Sequence, residues 1–329
     1  MPVRVAMYDK GYQHIGERLA ALGLDIEIAT FDRSGRYTLR GAAKDPAEVD
    51  VDYVWLSSQI NADGFQEGAF DLCLKTRSIK VLQTYNAGLD HPFYKALSAK
   101  GTRICNSSAQ AVAISEYVLA QVLAVFQPIM EQRALQARRE WKITPYREIA
   151  GTRWLIVGFG PIGREIAAKV KALGASTAVV RRKPAVSDIV DEAGTLADAP
   201  RLAATADVVV LACPLTAETR GFAGARFFSA AKKGATLVNI ARGGLIDDAA
   251  LLAALDDGTI ACAVLDVFRE EPLPPDHPYW GHPKVRLTGH TSFAGSGVRG
   301  RWDRLFLDNL PRFVRGEPLI NEFDPRDFP

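Results

Sequence analysis

The sequence predicts an α/β protein built from two doubly wound parallel-sheet domains. Short apolar runs alternate with amphipathic segments in two successive series, which is the pattern of βαβ units in a parallel sheet. A glycine-rich turn, Gly158–Gly163, separates the first strand and the first helix of the second series. The length of 329 residues exceeds that of one typical domain. We therefore expect two domains rather than one.

The composition indicates a globular protein without a nucleic-acid or membrane partner. Hydrophobic residues make up 48% and charged residues 24% of the chain, which is enough for full hydrophobic cores. The net charge is +2, from 40 basic and 38 acidic residues without a long block of either sign. This balance argues against bulk electrostatic binding to nucleic acid or anionic lipid.

The cysteines and the first residues favour the cytoplasm. The four cysteines are far apart and show neither a disulfide framework nor metal-ligand spacing, so we expect free thiols and no bound metal. Val3–Tyr8 predicts a strand instead of the apolar core of a secretion signal. The most apolar stretch, Ala109–Phe126, contains several polar side chains and is too polar for a membrane span.

The first predicted domain comprises residues 1–101 and 295–329. Its apolar runs predict strands, which we place at Val3–Tyr8, Ile26–Thr30, Val51–Leu56, Ile79–Thr84 and Thr102–Cys105. A final helical segment, about 298–314, follows the second sheet. Such a helix often returns to pack on the first domain, and we therefore expect this domain to be discontinuous and flavodoxin-like.

A long apolar helix is predicted between the two series. Ser107 and Ser108 offer an N-cap, and the helix would run to about Phe126 before Pro128. Because it has almost no polar face, it must be buried on more than one side. A core position between domains and a subunit interface both satisfy this requirement.

The second predicted domain, residues 102–294, contains the glycine-rich turn. Its strands are placed at Trp154–Val157, Thr177–Val180, Val208–Ala212, Thr236–Asn239, Cys262–Asp266 and Val285–Thr288. In the turn, Gly158 permits the tight bend, Gly160 lets the backbone approach a pyrophosphate, and Gly163 lets the helix pack on the strand. The helix dipole and the free N–H groups at the start of the helix then favour binding of the negatively charged diphosphate. This context predicts a Rossmann domain for a dinucleotide, with an ordinary strand-to-helix turn as the alternative.

The residues after the next strand favour NADP(H) over NAD(H). An NAD site would place an acidic side chain near the end of that strand. Here Arg181 and Arg182 follow it, and guanidinium groups can bind a 2′-phosphate in a bidentate manner. A solvated basic loop is the alternative, and NAD(H) stays possible. Pro161, Ile162 and Pro214 are also assigned to the cofactor site.

Three polar segments follow three successive predicted strands, at Asn239–Gly244, Asp266–Pro272 and Thr288–Ser292. Since ligands bind beyond the carboxyl ends of strands in such sheets, we expect Arg242, Glu271 and His290 to converge near the dinucleotide. Reduction of a 2-oxo acid needs a proton donor for the carbonyl oxygen and a cation for the carboxylate, and imidazolium and guanidinium suit these roles. A neighbouring carboxylate would orient the imidazole and stabilise its charged form. Each residue alone has an ordinary structural explanation, but together they predict hydride transfer at C2 of a 2-oxo or 2-hydroxy acid.

At these residues the chain resembles the D-isomer-specific 2-hydroxyacid dehydrogenase family, from Tyr85 to Ser292. The resemblance implies that Arg242 binds and polarises the substrate, that His290 is the acid/base and that Glu271 is its partner. It also implies that Asp266 contacts the nicotinamide carboxamide. The family fold has the same discontinuous arrangement, with the substrate bound between the domains. Its members are usually homodimers through the helix after the first crossover.

The resemblance further implies a substrate loop at Asn86–Asp90, in which the backbone amides of Ala87 and Gly88 hold the substrate carboxylate. Ser58 and Asn86 suggest a small or polar substrate group, as in glyoxylate or hydroxypyruvate. The chain departs from the family pattern at four positions, which are His91, Asp248, Gly289 and Thr291. Two other functions fit the same fold. One is a dinucleotide-sensing corepressor or scaffold, and the other is a phosphite-oxidising dehydrogenase, because a small oxyanion could occupy the arginine site.

Overall fold

The structure, a computed structural model, describes residues 2–328 in two compact units. Met1 and Pro329, the ends of the predicted first domain, lie outside the described residues. The first unit contains residues up to Gln110 and from Ser296, and the second unit is Ala111–Gly295. The change between units falls after Gln110, whereas the predicted bound was residue 101; the strand Arg103–Cys105, predicted as Thr102–Cys105, pairs with the first sheet.

The sheet of the first unit is parallel except at one edge. Its strands are β1 (Val3–Tyr8), β2 (Ile26–Phe31), β3 (Tyr37–Leu39), β4 (Ala42–Lys44), β5 (Asp50–Trp55), β6 (Ser78–Gln83) and β7 (Arg103–Cys105). The order is β4-β3-β2-β1-β5-β6-β7, in which β2-β1-β5-β6-β7 is the flavodoxin-like arrangement. The antiparallel pair β3–β4 extends the edge beyond β2 and was not predicted.

Helices cover both faces of this sheet. They are α1 (Asp9–Ala20), α2 (Ser58–Ala62), α3 (Gln66–Lys75) and α4 (Pro92–Ala99), with α11 (Val298–Val314) joining from the end of the chain. Along β1, Val5 and Met7 enter one hydrophobic core while Ala6 and Tyr8 enter the other. Burial on both faces explains why apolar residues occur on both faces of β1.

The second unit has a fully parallel sheet. Its strands are β8 (Arg153–Val157), β9 (Ser176–Val180), β10 (Glu192–Gly194), β11 (Val208–Leu211), β12 (Ala235–Asn239), β13 (Ile260–Leu265) and β14 (Val285–Leu287). The order β10-β9-β8-β11-β12-β13-β14 contains the Rossmann arrangement, with the strand order reversing beside β8. The predicted strands of both units are present with small shifts at their ends, whereas β10 was missed.

The helices of the second unit are α5 (Ala111–Phe126), α6 (Ile129–Arg138), α7 (Pro161–Ala172), α8 (Ala199–Ala203), α9 (Ala225–Ala230) and α10 (Asp248–Asp256). The start predicted for α5 was wrong, because the hydroxyl of Ser107 accepts from the N–H of Ala109 in a turn that precedes the helix. Trp154 and Ile156 of β8 face one core, and Leu155 and Val157 face the other.

Short 3₁₀ turns complete both units, at Pro46–Glu48, Leu196–Asp198, Gly243–Leu245, Pro278–Gly281 and Pro325–Asp327. Among residues 2–328, no single helix has the length and apolar character needed to cross a membrane. The bent pair α5 and α6 reaches that length and composition only when the two helices are taken together.

Candidate active site

The glycine-rich turn joins β8 to α7 at the switch point of the second sheet. Gly158 has a φ of +104°, and a Cβ atom there would lie 2.6 Å from the backbone of Ala212. A Cβ on Gly163 would lie 2.1 Å from the carbonyl oxygen of Gly158, whereas one on Gly160 would meet open space. Pro161 begins α7, and the helix leaves its first N–H groups without intrahelical acceptors. The turn therefore has the free donors and the open approach that a dinucleotide pyrophosphate requires.

The basic residues predicted to bind the 2′-phosphate on the adenosine ribose follow β9 directly. The N–H of Arg181 donates to the carbonyl of Gly194, and its guanidinium lies 5.6 Å from the ring centroid of Phe159 in the glycine turn. Arg182 is exposed. Pro214 follows β11, the strand next to β8, and is also exposed. These residues and the turn occupy the same carboxyl edge of the sheet.

Glu271 and His290 form a direct pair. Nδ1 of His290 lies 2.6 Å from Oε2 of Glu271, and the other carboxylate oxygen accepts the N–H of Phe268 at 2.8 Å. Both side chains are partly exposed. With Nδ1 facing the carboxylate, Nε2 is the ring nitrogen available to a ligand. The Phe293 ring lies nearly perpendicular to the imidazole, at an interplanar angle of 84°, with the ring centroids 6.0 Å apart.

Asp266 anchors the loop that carries His290. Its carboxylate is fully buried and accepts the hydroxyl of Thr288 at 2.6 Å, the N–H of Thr291 at 2.8 Å and the N–H of Ser292 at 2.9 Å. Its carbonyl oxygen also accepts the N–H of His290 at 2.8 Å. His290 has a φ of +48°, a left-handed conformation that costs a non-glycine residue about 1 kcal/mol. The four hydrogen bonds that Asp266 accepts hold the loop in this conformation.

A buried tyrosine extends this anchor to α5. The hydroxyl of Tyr117 lies 2.6 Å from the hydroxyl of Thr288, which in turn donates to Asp266. Burial raises the pKa of Tyr117, and the charge of Asp266 adds to this increase. The tyrosine therefore stays a neutral hydroxyl that fixes Thr288.

The loop of Arg242 packs directly on the loop of Glu271. A Cβ on Gly243 would lie 2.0 Å from the carbonyl carbon of Phe268, so only glycine fits at this crossing. Asn239, at the end of β12, holds the turn by donating to the carbonyl of Arg242 at 2.9 Å. The loops of Arg242, Glu271 and His290 thus leave the three adjacent strands β12, β13 and β14 at one edge.

A polar network supports the Glu271 loop from behind, beside a cavity of about 220 Å³. Nε of Arg269 lies 3.2 Å from Asp248, and a second nitrogen of the same guanidinium donates to the carbonyl of Ile246. The hydroxyl of Tyr279 donates to Asp248 at 2.9 Å. Burial, together with the charge of Asp248, raises the pKa of Tyr279 well above its usual range. These contacts fix the backbone two residues before Glu271.

In the first unit, the loop after β6 presents two free N–H groups. The carbonyl of Ala87 accepts from Asn106 at 2.8 Å, and the carbonyl of Asn86 accepts from Ser107 at 2.9 Å. Within residues 2–328, the N–H groups of Ala87 and Gly88 donate to no protein acceptor. The side chain of Asn86 donates to the hydroxyl of Tyr94 and so supports the loop.

Ser58 begins α2, after β5, and is half-buried. Its neighbour Ser57 is almost fully buried, with a hydroxyl that has no partner among the described residues.

The structure brings Glu271 and His290 together and places the Arg242 loop against theirs, whereas Ser58, Asn86, Ala87 and Gly88 belong to the other unit. Sequence reasoning missed the supporting residues, among them Tyr117, Asn239, Gly243, Arg269 and Thr288. The "Asn-x-x-Arg-Gly-Gly" spacing at 239–244 was a usable signal for two of them, because Asn caps turns well. Among the described residues, no cluster of His, Cys, Asp or Glu could hold a metal ion.

A family model matches this part of the chain. Residues 119–292 match the model described as D-isomer specific 2-hydroxyacid dehydrogenase, NAD binding domain. The chain is also 37% identical over 187 residues to glyoxylate/hydroxypyruvate reductase A of Serratia proteamaculans, a match that covers 56% of this chain and 58% of the relative. The chain spans about half the length of the curated D-3-phosphoglycerate dehydrogenases that it matches.

Solved structures match the whole fold. A D-isomer specific 2-hydroxyacid dehydrogenase from Xanthobacter autotrophicus Py2, in complex with NADPH and MES, superposes with a TM-score of 0.75 and 29% identity, covering 99% of each chain. The NADPH-dependent glyoxylate/hydroxypyruvate reductase of Sinorhizobium meliloti, in complex with NADP and sulfate, gives a TM-score of 0.73 and 26% identity, covering 98% of this chain and 99% of that one.

Proposed function

This chain belongs to the D-isomer-specific 2-hydroxyacid dehydrogenase family, and we propose that it transfers a hydride between a nicotinamide dinucleotide and C2 of a small 2-oxo or 2-hydroxy acid. The observation that carries this proposal is the 2.6 Å contact between His290 and Glu271, on loops that leave adjacent strands beside the loop of Arg242. A bound nicotinamide would supply or accept the hydride. The chain's own residues handle the substrate and its proton.

His290 is assigned the proton transfer. In reduction, Nε2 gives a proton to the carbonyl oxygen as negative charge develops there, and in oxidation it takes the proton back. Glu271 holds Nδ1 and stabilises the imidazolium, so the ring is oriented before the substrate binds.

Arg242 and the loop after β6 are assigned the substrate carboxylate. The planar guanidinium of Arg242 can bind a carboxylate oxygen and polarise the carbonyl group beside it. The N–H groups of Ala87 and Gly88, which donate to no acceptor among the described residues, are assigned as uncharged donors to a substrate carboxylate.

Glyoxylate and hydroxypyruvate are the substrates that we propose. Two similar proteins are glyoxylate/hydroxypyruvate reductases, and Ser58 is a small residue at the start of α2. The test is a spectrophotometric screen that pairs NADH and NADPH with glyoxylate, hydroxypyruvate, pyruvate and larger 2-oxo acids. Turnover of the two small acids, with loss of turnover in His290→Ala, supports the proposal. A screen without turnover of any 2-oxo acid contradicts it, and oxidation of phosphite in the same assay would assign the site to a different reaction.

NADP(H) is the cofactor that we propose for this enzyme. Arg181 and Arg182 follow β9, where the adenosine ribose lies in this fold, and no acidic side chain stands at the end of that strand. Two similar structures are in complex with NADPH or NADP. A lower KM for NADPH than for NADH in the same screen supports the assignment, and the reverse order contradicts it.

A homodimer is the assembly that we propose. Large apolar side chains stand exposed on and after α6, where Met130, Trp141, Ile143 and Tyr146 are each more than half accessible. Exposed apolar side chains concentrated in one segment are typical of an interface. Light scattering after size exclusion is expected to give a dimer for the native chain and a monomer for the variant Trp141→Ser with Ile143→Ser. A native monomer would contradict this proposal.

The cytoplasm is the location that we propose. All four cysteines are buried and free, as in proteins of a reducing compartment. Recovery of the protein in the cytoplasmic fraction, with all thiols titratable after unfolding without reductant, supports this location. Recovery outside the cytoplasm contradicts it.

A further inference from the structure

Two arginines of the second unit share one aromatic ring at the glycine turn. The Cζ atom of Arg164 lies 5.0 Å from the centroid of the Phe159 ring, and that of Arg181 lies 5.6 Å from it. Phe159 is the residue between Gly158 and Gly160, Arg164 lies in the first turn of α7, and Arg181 follows β9. The two guanidinium groups, one from α7 and one from the end of β9, therefore both lie against the Phe159 ring of the glycine-rich turn.

Among the residues that the structure describes, neither guanidinium has a carboxylate partner. In the chain from residue 2 to residue 328, no Asp or Glu oxygen lies within ion-pair distance of Arg164 or Arg181. Elsewhere in the same unit arginines do have such partners, since Arg153 and Arg201 both bind Glu192. Two positive charges on one ring without a counter-ion repel each other. An anion bound to both would remove this repulsion and gain charge-assisted hydrogen bonds.

We propose that Arg164 and Arg181, positioned by Phe159, form the binding site for the 2′-phosphate of NADP. This inference rests on the proposed dinucleotide function and adds Arg164 and Phe159 to its specificity. Arg164 contacts the phosphate directly. Phe159 is a positioning residue, because its ring binds the two guanidinium groups by cation–π attraction and limits their conformations before the cofactor arrives.

The location is consistent with this chemistry. In a Rossmann domain the adenosine ribose lies beside the end of the second strand, while the pyrophosphate lies over the glycine turn. β9 is that second strand and ends immediately before Arg181. The Phe159 ring, which contacts both arginines, belongs to the turn itself. A phosphate on the 2′ oxygen would therefore approach the cluster, whereas NAD has only a hydroxyl group to offer.

The test uses small ligands and needs no 2-oxo acid. Isothermal titration of the full chain with 2′,5′-ADP and with 5′-AMP separates the 2′-phosphate from the rest of the nucleotide. Arg164→Ala is expected to weaken 2′,5′-ADP roughly 10- to 100-fold, since it removes a charge-assisted contact, and to leave 5′-AMP unchanged. The matched control is Arg226→Ala, which removes an exposed arginine of α9 and is expected to change neither affinity.

Variants of the ring test its positioning role. Phe159→Leu keeps an apolar side chain and loses the π face, so 2′,5′-ADP is expected to bind roughly 3- to 10-fold more weakly. Phe159→Tyr keeps the aromatic face and is expected to restore native affinity. Circular dichroism and thermal melting check that each variant is folded.

Two results would overturn the inference. Equal weakening of both nucleotides in Arg164→Ala would show a general effect on the nucleotide instead of 2′-phosphate recognition. Unchanged affinity for 2′,5′-ADP would show that Arg164 contributes nothing. A protein that binds 2′,5′-ADP as expected but reduces no 2-oxo acid would leave the cluster intact and refute the proposed reaction.

Discussion

Replacement of Asp266 by asparagine tests the origin of the conformation of His290. The buried carboxylate accepts hydrogen bonds from Thr288, Thr291 and Ser292, on both sides of the histidine. One oxygen receives two of these donors and the other receives the third. An asparagine has only one acceptor oxygen, so its amide N–H₂ group must face one of the donors.

The expected loss of free energy follows from this number of donors and acceptors. A hydrogen bond to a charged group contributes about 1.5–3 kcal/mol, and a buried donor facing another donor loses at least this much. If the free energy of opening the loop falls by about 2 kcal/mol, exchange of its amides through that opening accelerates roughly 30-fold. Because the φ of His290 at +48° is unfavourable, the weakened loop is expected to relax and misplace the imidazole.

The assay is hydrogen exchange, followed by mass spectrometry, of peptides that cover residues 285–295 in the protein without cofactor. Asp266→Asn is expected to raise exchange there and to lower kcat/KM for reduction, while the exposed Asp276→Asn changes neither. If Asp266 serves only to contact the nicotinamide, the exchange of the free protein stays native and the KM for the cofactor rises instead. That outcome would refute the anchoring role.

Three further predictions concern proton transfer, loop packing and acid stability. His290→Ala should lower kcat/KM for reduction roughly 10²–10⁴-fold, the usual contribution of a positioned general acid, and native turnover in this variant would argue against the assigned proton transfer. Gly243→Ala should lower both kcat/KM and the melting temperature, since its Cβ would lie 2.0 Å from backbone of the Glu271 loop, and native values for both would contradict the crossing. Asp207 is partly desolvated, which opposes ionisation, but hydrogen bonds from Lys232 and from a backbone N–H, with the neighbouring positive charges, lower its pKa. The ionised Asp207 therefore stabilises the fold fully above its unfolded pKa of about 4, and this contribution is lost as pH falls through the lower pKa of the folded state. Asp207→Asn should lower the free energy of unfolding, measured in urea at neutral pH, by roughly 1–3 kcal/mol. The stability of this variant should also decline less steeply in acid than that of the native protein.

Most of the fold could be predicted because buried parallel strands are apolar on both faces. β8 and β11 are fully buried over nearly their whole length, and such runs stand out between glycines and polar segments. The pair β3–β4 lacks this signal, since β4 (Ala42–Lys44) is exposed throughout. The strand β7 was placed in the first domain from its apolar residues, although the bounds given for that domain stopped at residue 101. In the structure it pairs with β6 of the first sheet.

The candidate site was predictable in its residue types but not in its contacts. Arg242, Glu271 and His290 follow strand-like runs, so topology alone places them at one edge of the sheet. Arg164 and Phe159 gave no such signal. Their contact with Arg181 depends on side-chain directions across a turn, a helix and a strand end, and the spacing in sequence does not determine these directions.

Strand register decides whether the loop of His290 is anchored at all. In the observed pairing, Leu265 of β13 stands opposite Leu287 of β14, so Asp266 and Thr288 leave the sheet side by side. A slip of two residues would keep every side chain on the same face and so preserve the apolar pattern, yet it would separate these two residues by about 7 Å. The hydrophobic pattern therefore cannot select the functional register. The buried carboxylate of Asp266 can select this register, because only the observed pairing gives it three hydrogen-bond donors. An unpaired charge in that buried position would be strongly destabilising. Asp266 then specifies the fold and the catalytic geometry by the same hydrogen bonds, which is why its replacement should perturb loop exchange and proton transfer together.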